Sequence, residues 1–259
     1  MIRARKRFGQ HFLEPAWVEK VIRAIDPKPD ETFVEIGPGT GALTRRLAAR
    51  VKAVVAYEID RDLAADLEAA AISNVVVVEA DFLTVPNLEP RTPNPVRVAG
   101  NLPYNVASPI MFKLAELFAA GTPIADATVM LQREVADRLT ASPGTRDYGV
   151  LSVLMQHVAD VDLLLKLPAG AFRPPPKVLS SLLRLRFHAP SPPVADPILF
   201  AAVVQAVFTR RRKTLSNAML AHTDAGRAAR ALAAAGIDAG RRPETLSVAE
   251  FVRLVNALG

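Results

Sequence analysis

The stretch Val34-Glu35-Ile36-Gly37-Pro38-Gly39-Thr40-Gly41 restricts the fold of this chain more than any other. An apolar run ends in closely spaced glycines, and the helical pattern Ala42-Leu43-Thr44-Arg45-Arg46-Leu47 follows at once. This reads as strand, glycine turn, helix, a turn in which a ligand can approach the backbone closely. A second apolar run, Ala53 to Tyr57, ends in Glu58. A carboxylate roughly 20 residues beyond the first strand, at the next strand end, can hold both hydroxyls of a ribose. A third run, Val75 to Val78, closes in Glu79-Ala80-Asp81-Phe82.

Strands are expected near 32–37, 53–58, 75–80, 96–101 and 126–132, separated by helical segments, which argues for a mostly parallel sheet covered on both faces. Two further apolar runs lie near 159–167 and 180–187. Pro15 to Ile25 has Trp17, Val18, Val21, Ile22 and Ile25 on or near one helical face, suited to packing on the sheet. The clearest linker is Ala189-Pro190-Ser191-Pro192-Pro193-Val194, with three prolines in six residues. Beyond it Phe200, Val203, Val204 and Val207 have helical spacing, as do Ala225 to Ala235 and Val248 to Leu258. With 259 residues, 50% of them hydrophobic, the chain can bury a full α/β domain and a smaller second one. The expected division is 1–188 and 189–259.

Dinucleotides and S-adenosylmethionine (SAM) both suit a glycine turn followed by a strand-end acid. The spacing here is Gly-Pro-Gly-Thr-Gly, with Ala42 where the dinucleotide fingerprint places its third glycine. Alanine also occurs at that position, so the spacing leaves both open. Asp81 is the stronger discriminator, an acid placed to accept the amino group of a bound adenine, although an aspartate there also caps turns. Asn101-Leu102-Pro103-Tyr104 ends the fourth run. It suits a flat, weakly basic exocyclic amine. The lone pair of adenine N6 is delocalised into the ring, so a site that methylates it must hold the amine by its hydrogens and stack the ring. The Asn101 side-chain oxygen and the Pro103 carbonyl can accept those hydrogens, and Tyr104 can supply the stack. Residues of these types are also common in turns.

With these features go Arg5-Lys6-Arg7-Phe8-Gly9-Gln10-His11-Phe12-Leu13, Glu58-Ile59-Asp60, Met130 to Val135, Tyr148-Gly149, Phe172 to Val178 and Arg211-Arg212-Lys213-Thr214-Leu215. In this order they resemble the KsgA/RsmA family of 16S ribosomal RNA adenine N6,N6-dimethyltransferases over nearly the whole chain. The resemblance implies a Rossmann-like class I SAM-dependent methyltransferase fold, α/β, with seven mostly parallel strands, the last antiparallel, and a small C-terminal all-helical RNA-binding domain. It implies SAM as cofactor, held by His11, Leu13, Gly37, Glu58, Asp81 and Asn101. The family often has asparagine at the position of His11, and an imidazole nitrogen replaces an amide in one hydrogen bond but not in all its geometries. For the target base it implies Asn101, Pro103 and Tyr104, with Phe172 closing from the side opposite Tyr104 as an aromatic clamp. Read alone, Phe172 to Val178 is a stiff extended loop leading into the strand near 180. The implied reaction dimethylates N6 of two adjacent adenosines in the 3′-terminal hairpin loop of 16S rRNA, within a small-subunit (30S) assembly particle.

The charge distribution agrees with an anionic partner. Net charge is +6, of which residues 1–13 carry +4 and 189–259 another +4, so the stretch between them is at −2. Arg5, Lys6 and Arg7 at one end and Arg210, Arg211, Arg212 and Lys213 at the other are the candidate RNA phosphate contacts, and a solvated face is the plainer account of any single cation. The second cluster is expected to open or lie within a helix. With no cysteine, disulfides and thiolate zinc sites are excluded. His157, His188 and His222 lack metal-like spacing, so no metal is expected. No apolar run approaches the roughly 20 residues needed to span a bilayer, and the basic N-terminus lacks an apolar segment behind it. A cytoplasmic monomer is expected. A 23S rRNA adenine methyltransferase of the macrolide-resistance type and a SAM-binding ribosome assembly factor are the alternatives, with a dinucleotide oxidoreductase third.

Overall fold

The computed structural model describes residues 11–89 and 94–259. It divides into two compact units, one ending at Ala136 and resuming over Val161–Phe187, the other made of Asp137–Asp160 and His188–Gly259. The sequence boundary near 189 is one crossing between them. Residues Asp137–Asp160, placed in the first domain by the sequence reading, belong to the second unit.

In chain order the elements are β1 (Phe12–Leu13), α1 (Pro15–Ile25), β2 (Thr32–Ile36), α2 (Ala42–Ala48), β3 (Ala53–Glu58), α3 (Arg61–Ala69), β4 (Val75–Glu79), β5 (Val96–Asn101), α4 (Ala107–Ala119), β6 (Ile124–Gln132), α5 (Arg133–Leu139), α6 (Val150–Gln156), β7 (Ala159–Leu167), β8 (Phe172–Arg173), β9 (Ser180–Phe187), α7 (Pro197–Phe208), α8 (Leu215–Met219), α9 (Ala225–Ala234) and α10 (Val248–Leu258). Seven strands form one sheet in the order β4-β3-β2-β5-β6-β9-β7. β4, β3, β2, β5 and β6 pair in parallel, and β9 runs antiparallel to β6. The expected mostly parallel, seven-stranded sheet is therefore present, with the reversal at β9.

Burial on both faces explains why the inner strands β2, β3 and β5 read as continuous apolar runs: Phe33, Val34, Val54 and Val98 are all fully buried. α1 starts with a proline in its first turn and buries Val18, Val21, Ile22 and Ile25. β2 and β5 approach so closely that a Cβ on Gly100 would sit against the Ile36 carbonyl oxygen. Backbone cannot yield there as a flexible side chain would. Gly100→Ala should cost about 1–3 kcal/mol through overpacking, read as a lower urea midpoint, and an unchanged midpoint would contradict the contact.

A feature without a sequence expectation is a two-stranded ribbon beside the sheet, in which Phe12 pairs with Arg173 and Leu13 with Phe172. The Arg173 guanidinium also meets the Glu14 carboxylate.

In the second unit the residues with helical spacing form the core. Phe200, Val203, Val204, Val207, Phe251 and Val255 are buried together with Tyr148 and Val153, which is why Asp137–Asp160 joins this unit. Asp196 and Asp224 cap α7 and α9, and Ser247 with Glu250 forms a reciprocal capping box at α10. The cationic run differs from expectation. α7 stops at Phe208, and Arg210 to Lys213 lie in the turn before α8, closed by the Lys213 N–H donating to the Arg210 carbonyl at 2.8 Å.

Candidate active site

The C-terminal ends of β2, β3, β4 and β5 open onto one cavity, the position at which open α/β sheets bind ligands. Gly37, Glu58, Asp81, Asn101, Pro103 and Tyr104 all line it, as do His11 and Leu13 from the N-terminal segment. Gly39 has φ +57, a conformation that favours glycine, and a Cβ there would come within 3.1 Å of the Phe12 ring, a tight contact.

The Glu58 carboxylate is fixed from two sides: the Gly39 N–H donates to Oε2 and the Asp60 N–H to Oε1, each at 2.9 Å. Burial raises its pKa and these amides pull it back in part, leaving it above the ordinary carboxylate range. Each oxygen keeps a lone pair for a further donor. Ile59, next in the chain, exposes an apolar surface to the same cavity. Asp81 accepts from the Leu83 N–H at 2.9 Å, so it does cap a turn, and it lines the cavity as well.

Asn101 is the last residue of β5. Its Nδ2 donates to the His11 carbonyl oxygen at 2.6 Å. Only the nitrogen of an amide can donate to a carbonyl, so this bond fixes the orientation of the side chain and leaves Oδ1 as the accepting end. The Pro103 carbonyl accepts the Val106 N–H at 3.1 Å and retains one lone pair for another donor. The Tyr104 hydroxyl is hydrogen-bonded to Ser180 Oγ at 2.7 Å, and Ser180 is buried, so the ring is tethered at its far end. Burial pushes the Tyr104 phenol up. His11 stacks on Tyr104 with ring centroids 5.4 Å apart and 25° between planes, and its Nδ1 lies 2.7 Å from the Pro174 carbonyl oxygen.

One sequence expectation differs here. Phe172 does not line the cavity. Its side chain is 1% exposed and packs with Val18, Ile22 and Leu182 in the core, while its backbone pairs with Leu13. An apolar ring gains most where it is removed fully from water, and this core encloses it. The ring in stacking contact with Tyr104 is His11 instead. Of the cations, Arg210, Arg212 and Lys213 are exposed in their turn, and the half-buried Arg211 donates to the Arg146 carbonyl at 3.2 Å. Arg5, Lys6 and Arg7 lie outside the described residues.

Sequence reasoning assigned nothing to Ser180 or Glu35. No local signal marks Ser180, whose partner is distant in the chain. Glu35 had one, a charge inside an apolar run. It is 1% exposed on the cavity wall, and burial, with the nearby Glu58 charge adding to it, pushes its carboxyl up to about 7 against the pull of the Thr44 hydroxyl. Among the described residues no cluster of His, Asp and Glu could hold a metal ion, and no helix is long and apolar enough to cross a membrane.

Comparison with known proteins places this geometry among RNA-modifying enzymes. The family model described as ribosomal RNA adenine dimethylase matches residues 1–259. The ribosomal RNA small subunit methyltransferase A of Acinetobacter baylyi is 44% identical over 97% of this chain and 91% of its own length. That of Chromohalobacter salexigens is 46% identical over 98% and 90%. Among solved structures, the 23S rRNA methyltransferase ErmE is 30% identical with a TM-score of 0.67, covering 95% of this chain and 99% of its own. A dimethyladenosine transferase from Plasmodium falciparum, 24% identical with a TM-score of 0.78 and covering 94% and 96%, shares the fold.

Proposed function

Because the chain belongs to the ribosomal RNA adenine dimethylase family, we propose that it dimethylates N6 of two adjacent adenosines in the 3′-terminal hairpin loop of 16S rRNA. Its cofactor is SAM, which supplies the electrophilic methyl group. The small-subunit relatives, 44–46% identical, support that substrate over the 23S alternative at 30%.

The cavity suits SAM on its own residues. A buried carboxyl on its wall, Glu35, has an oxygen without a partner among the described residues, which favours a cationic ligand. The glycine turn from Gly37 to Thr40 lines the cavity, and the doubly anchored Glu58 is suited to ribose hydroxyls. Asp81 would accept the adenine amine, while Gly37, His11 and Leu13 would complete the enclosure.

The observation that carries the reading is the anchored Asn101 amide beside the tethered Tyr104. With Nδ2 held by His11, Asn101 presents Oδ1 to one hydrogen of the target amine, and the Pro103 carbonyl can take the other. Accepting both hydrogens localises the nitrogen lone pair and aims it, so these residues contribute orientation and electrostatics. Tyr104, held by Ser180, stacks the base at about 1–3 kcal/mol per aromatic contact. A neutral amide suffices because the nitrogen becomes acidic once alkylated. The monomethylated amine keeps one hydrogen, so the same acceptors serve a second transfer. Arg210, Arg211, Arg212 and Lys213, with Arg5, Lys6 and Arg7, are the proposed phosphate contacts. The substrate is a 30S assembly particle and the enzyme a cytoplasmic monomer in this reading.

Methyl transfer from labelled SAM to unmethylated 30S particles, followed by nucleoside mapping, tests it. Dimethyladenosine in the 3′-terminal 16S hairpin is the expected product; modified 23S rRNA alone would overturn the assignment.

A further inference from the structure

Glu35 belongs to β2, in the middle of the parallel sheet, where a side chain is ordinarily apolar. Its strand neighbours by register are Ala56 on β3 and Ala99 on β5, neither of which can hydrogen-bond to it through a side chain. From α2 the buried Thr44 hydroxyl faces it and pulls its pKa down, without offsetting the effect of burial. The charged group that acts on it is Glu58 on β3, of the same sign. A buried carboxyl with an unpartnered oxygen and, among the described residues, no cation beside it is costly in its ionised form. It nevertheless lies on the wall of the cavity proposed to take SAM, whose amino-acid end carries a sulfonium and an ammonium.

We infer that Glu35 holds a proton before the cofactor binds and ionises against the cationic end of SAM, so that binding releases that proton. This rests on the SAM-binding reading of the cavity. A proton leaves the Glu35 carboxyl for buffer, the carboxylate gains a cation in a site of low dielectric, and no bond to the cofactor forms or breaks. Glu35 is thereby a binding residue that couples cofactor affinity to pH. The sign follows from the direction of the shift: a cation lowers the pKa of the carboxyl, so binding weakens as pH falls below the value of the free protein, about 7. Above it the dependence flattens.

Isothermal titration of the full chain with SAM, repeated in buffers of different ionisation enthalpy between pH 5.5 and 8.5, counts the proton directly. Close to one proton should be released near pH 6 and almost none near pH 8.5, with affinity falling about tenfold per pH unit over the acid part of the range. Glu35→Gln, nearly isosteric, should bind SAM with that release abolished. S-adenosylhomocysteine, which lacks the sulfonium charge, identifies the partner: release with both ligands assigns the ammonium, and release with SAM alone assigns the sulfonium. SAM binding by the wild-type protein with no proton exchanged across this range would overturn the inference alone, without recourse to the variant. The same release persisting in Glu35→Gln would also overturn it, because the proton would then come from another group such as Glu58. A protein that binds no SAM at any pH would overturn the functional reading and this inference together.

Discussion

Asn101→Ala is expected to lower methyl transfer by about 10²–10³-fold while the protein stays folded, because it removes one of the two acceptors proposed to orient the target amine. The side chain is half-buried at the end of β5 and its one recorded hydrogen bond reaches the His11 carbonyl, so truncation leaves the sheet core intact. Single-turnover transfer to 30S particles, with thermal unfolding as the control, is the measurement. Asn101→Asp is the informative companion. A carboxylate cannot donate to the His11 carbonyl, so it would lose the anchor while keeping an acceptor. If alanine retained more than about a tenth of the rate, the orientation account built on residue 101 would fail.

The largest expected effect on stability lies at the other end of the same strand. Arg97 Nε donates to both oxygens of Asp126 at 3.0 and 3.1 Å, Nη1 to Glu31 at 2.9 Å, and Nη2 to the Ile25 carbonyl at 2.8 Å. Arg184 adds a second guanidinium to the Ala24 and Ile25 carbonyls at 2.8 and 2.9 Å. The two arginines thus satisfy carbonyls at the end of α1 that the helix itself cannot. The Arg97 side chain is 9% exposed, and although burial disfavours its charge, Asp126 and Glu31 hold its pKa above the usual value. Arg97→Ala leaves two part-buried carboxylates without their main counter-charge, and should cost about 3–5 kcal/mol in urea unfolding. Since the cavity is at the opposite strand ends, whatever folded fraction remains should bind SAM with nearly unchanged affinity. A loss below about 1 kcal/mol would show that Arg184 and solvent suffice.

The strands of the large sheet were legible because each is long enough and rich enough in apolar residues to leave a run in the sequence; β6 differs from its expected start by two residues. The β1–β8 ribbon was not legible, because two-residue strands have no period to detect. That Glu58, Asp81 and Asn101 line one cavity was legible because strand ends in a parallel sheet converge on one rim. The resemblance, not the local pattern, put Phe172 at the cavity, since an aromatic beside a proline-rich loop looks the same in one dimension whether it meets a ligand or a core. Its burial depends on α1 and β9, which are remote in sequence. The turn at Arg210 to Lys213 was missed for a local reason. Neither glycine nor proline marks the end of α7, and arginine and lysine are good helix formers, so propensity favoured continuing the helix.

The two backbone amides that grip Glu58 come from separate loops, one before α2 and one before α3. The immobilisation of that carboxylate is therefore completed as the polypeptide folds, and the nucleoside proposed to bind there would meet an acceptor that has already lost its rotational freedom. Selectivity at this position becomes a matter of fit to a rigid template: a sugar whose hydroxyls are absent or inverted cannot induce the carboxylate to follow it.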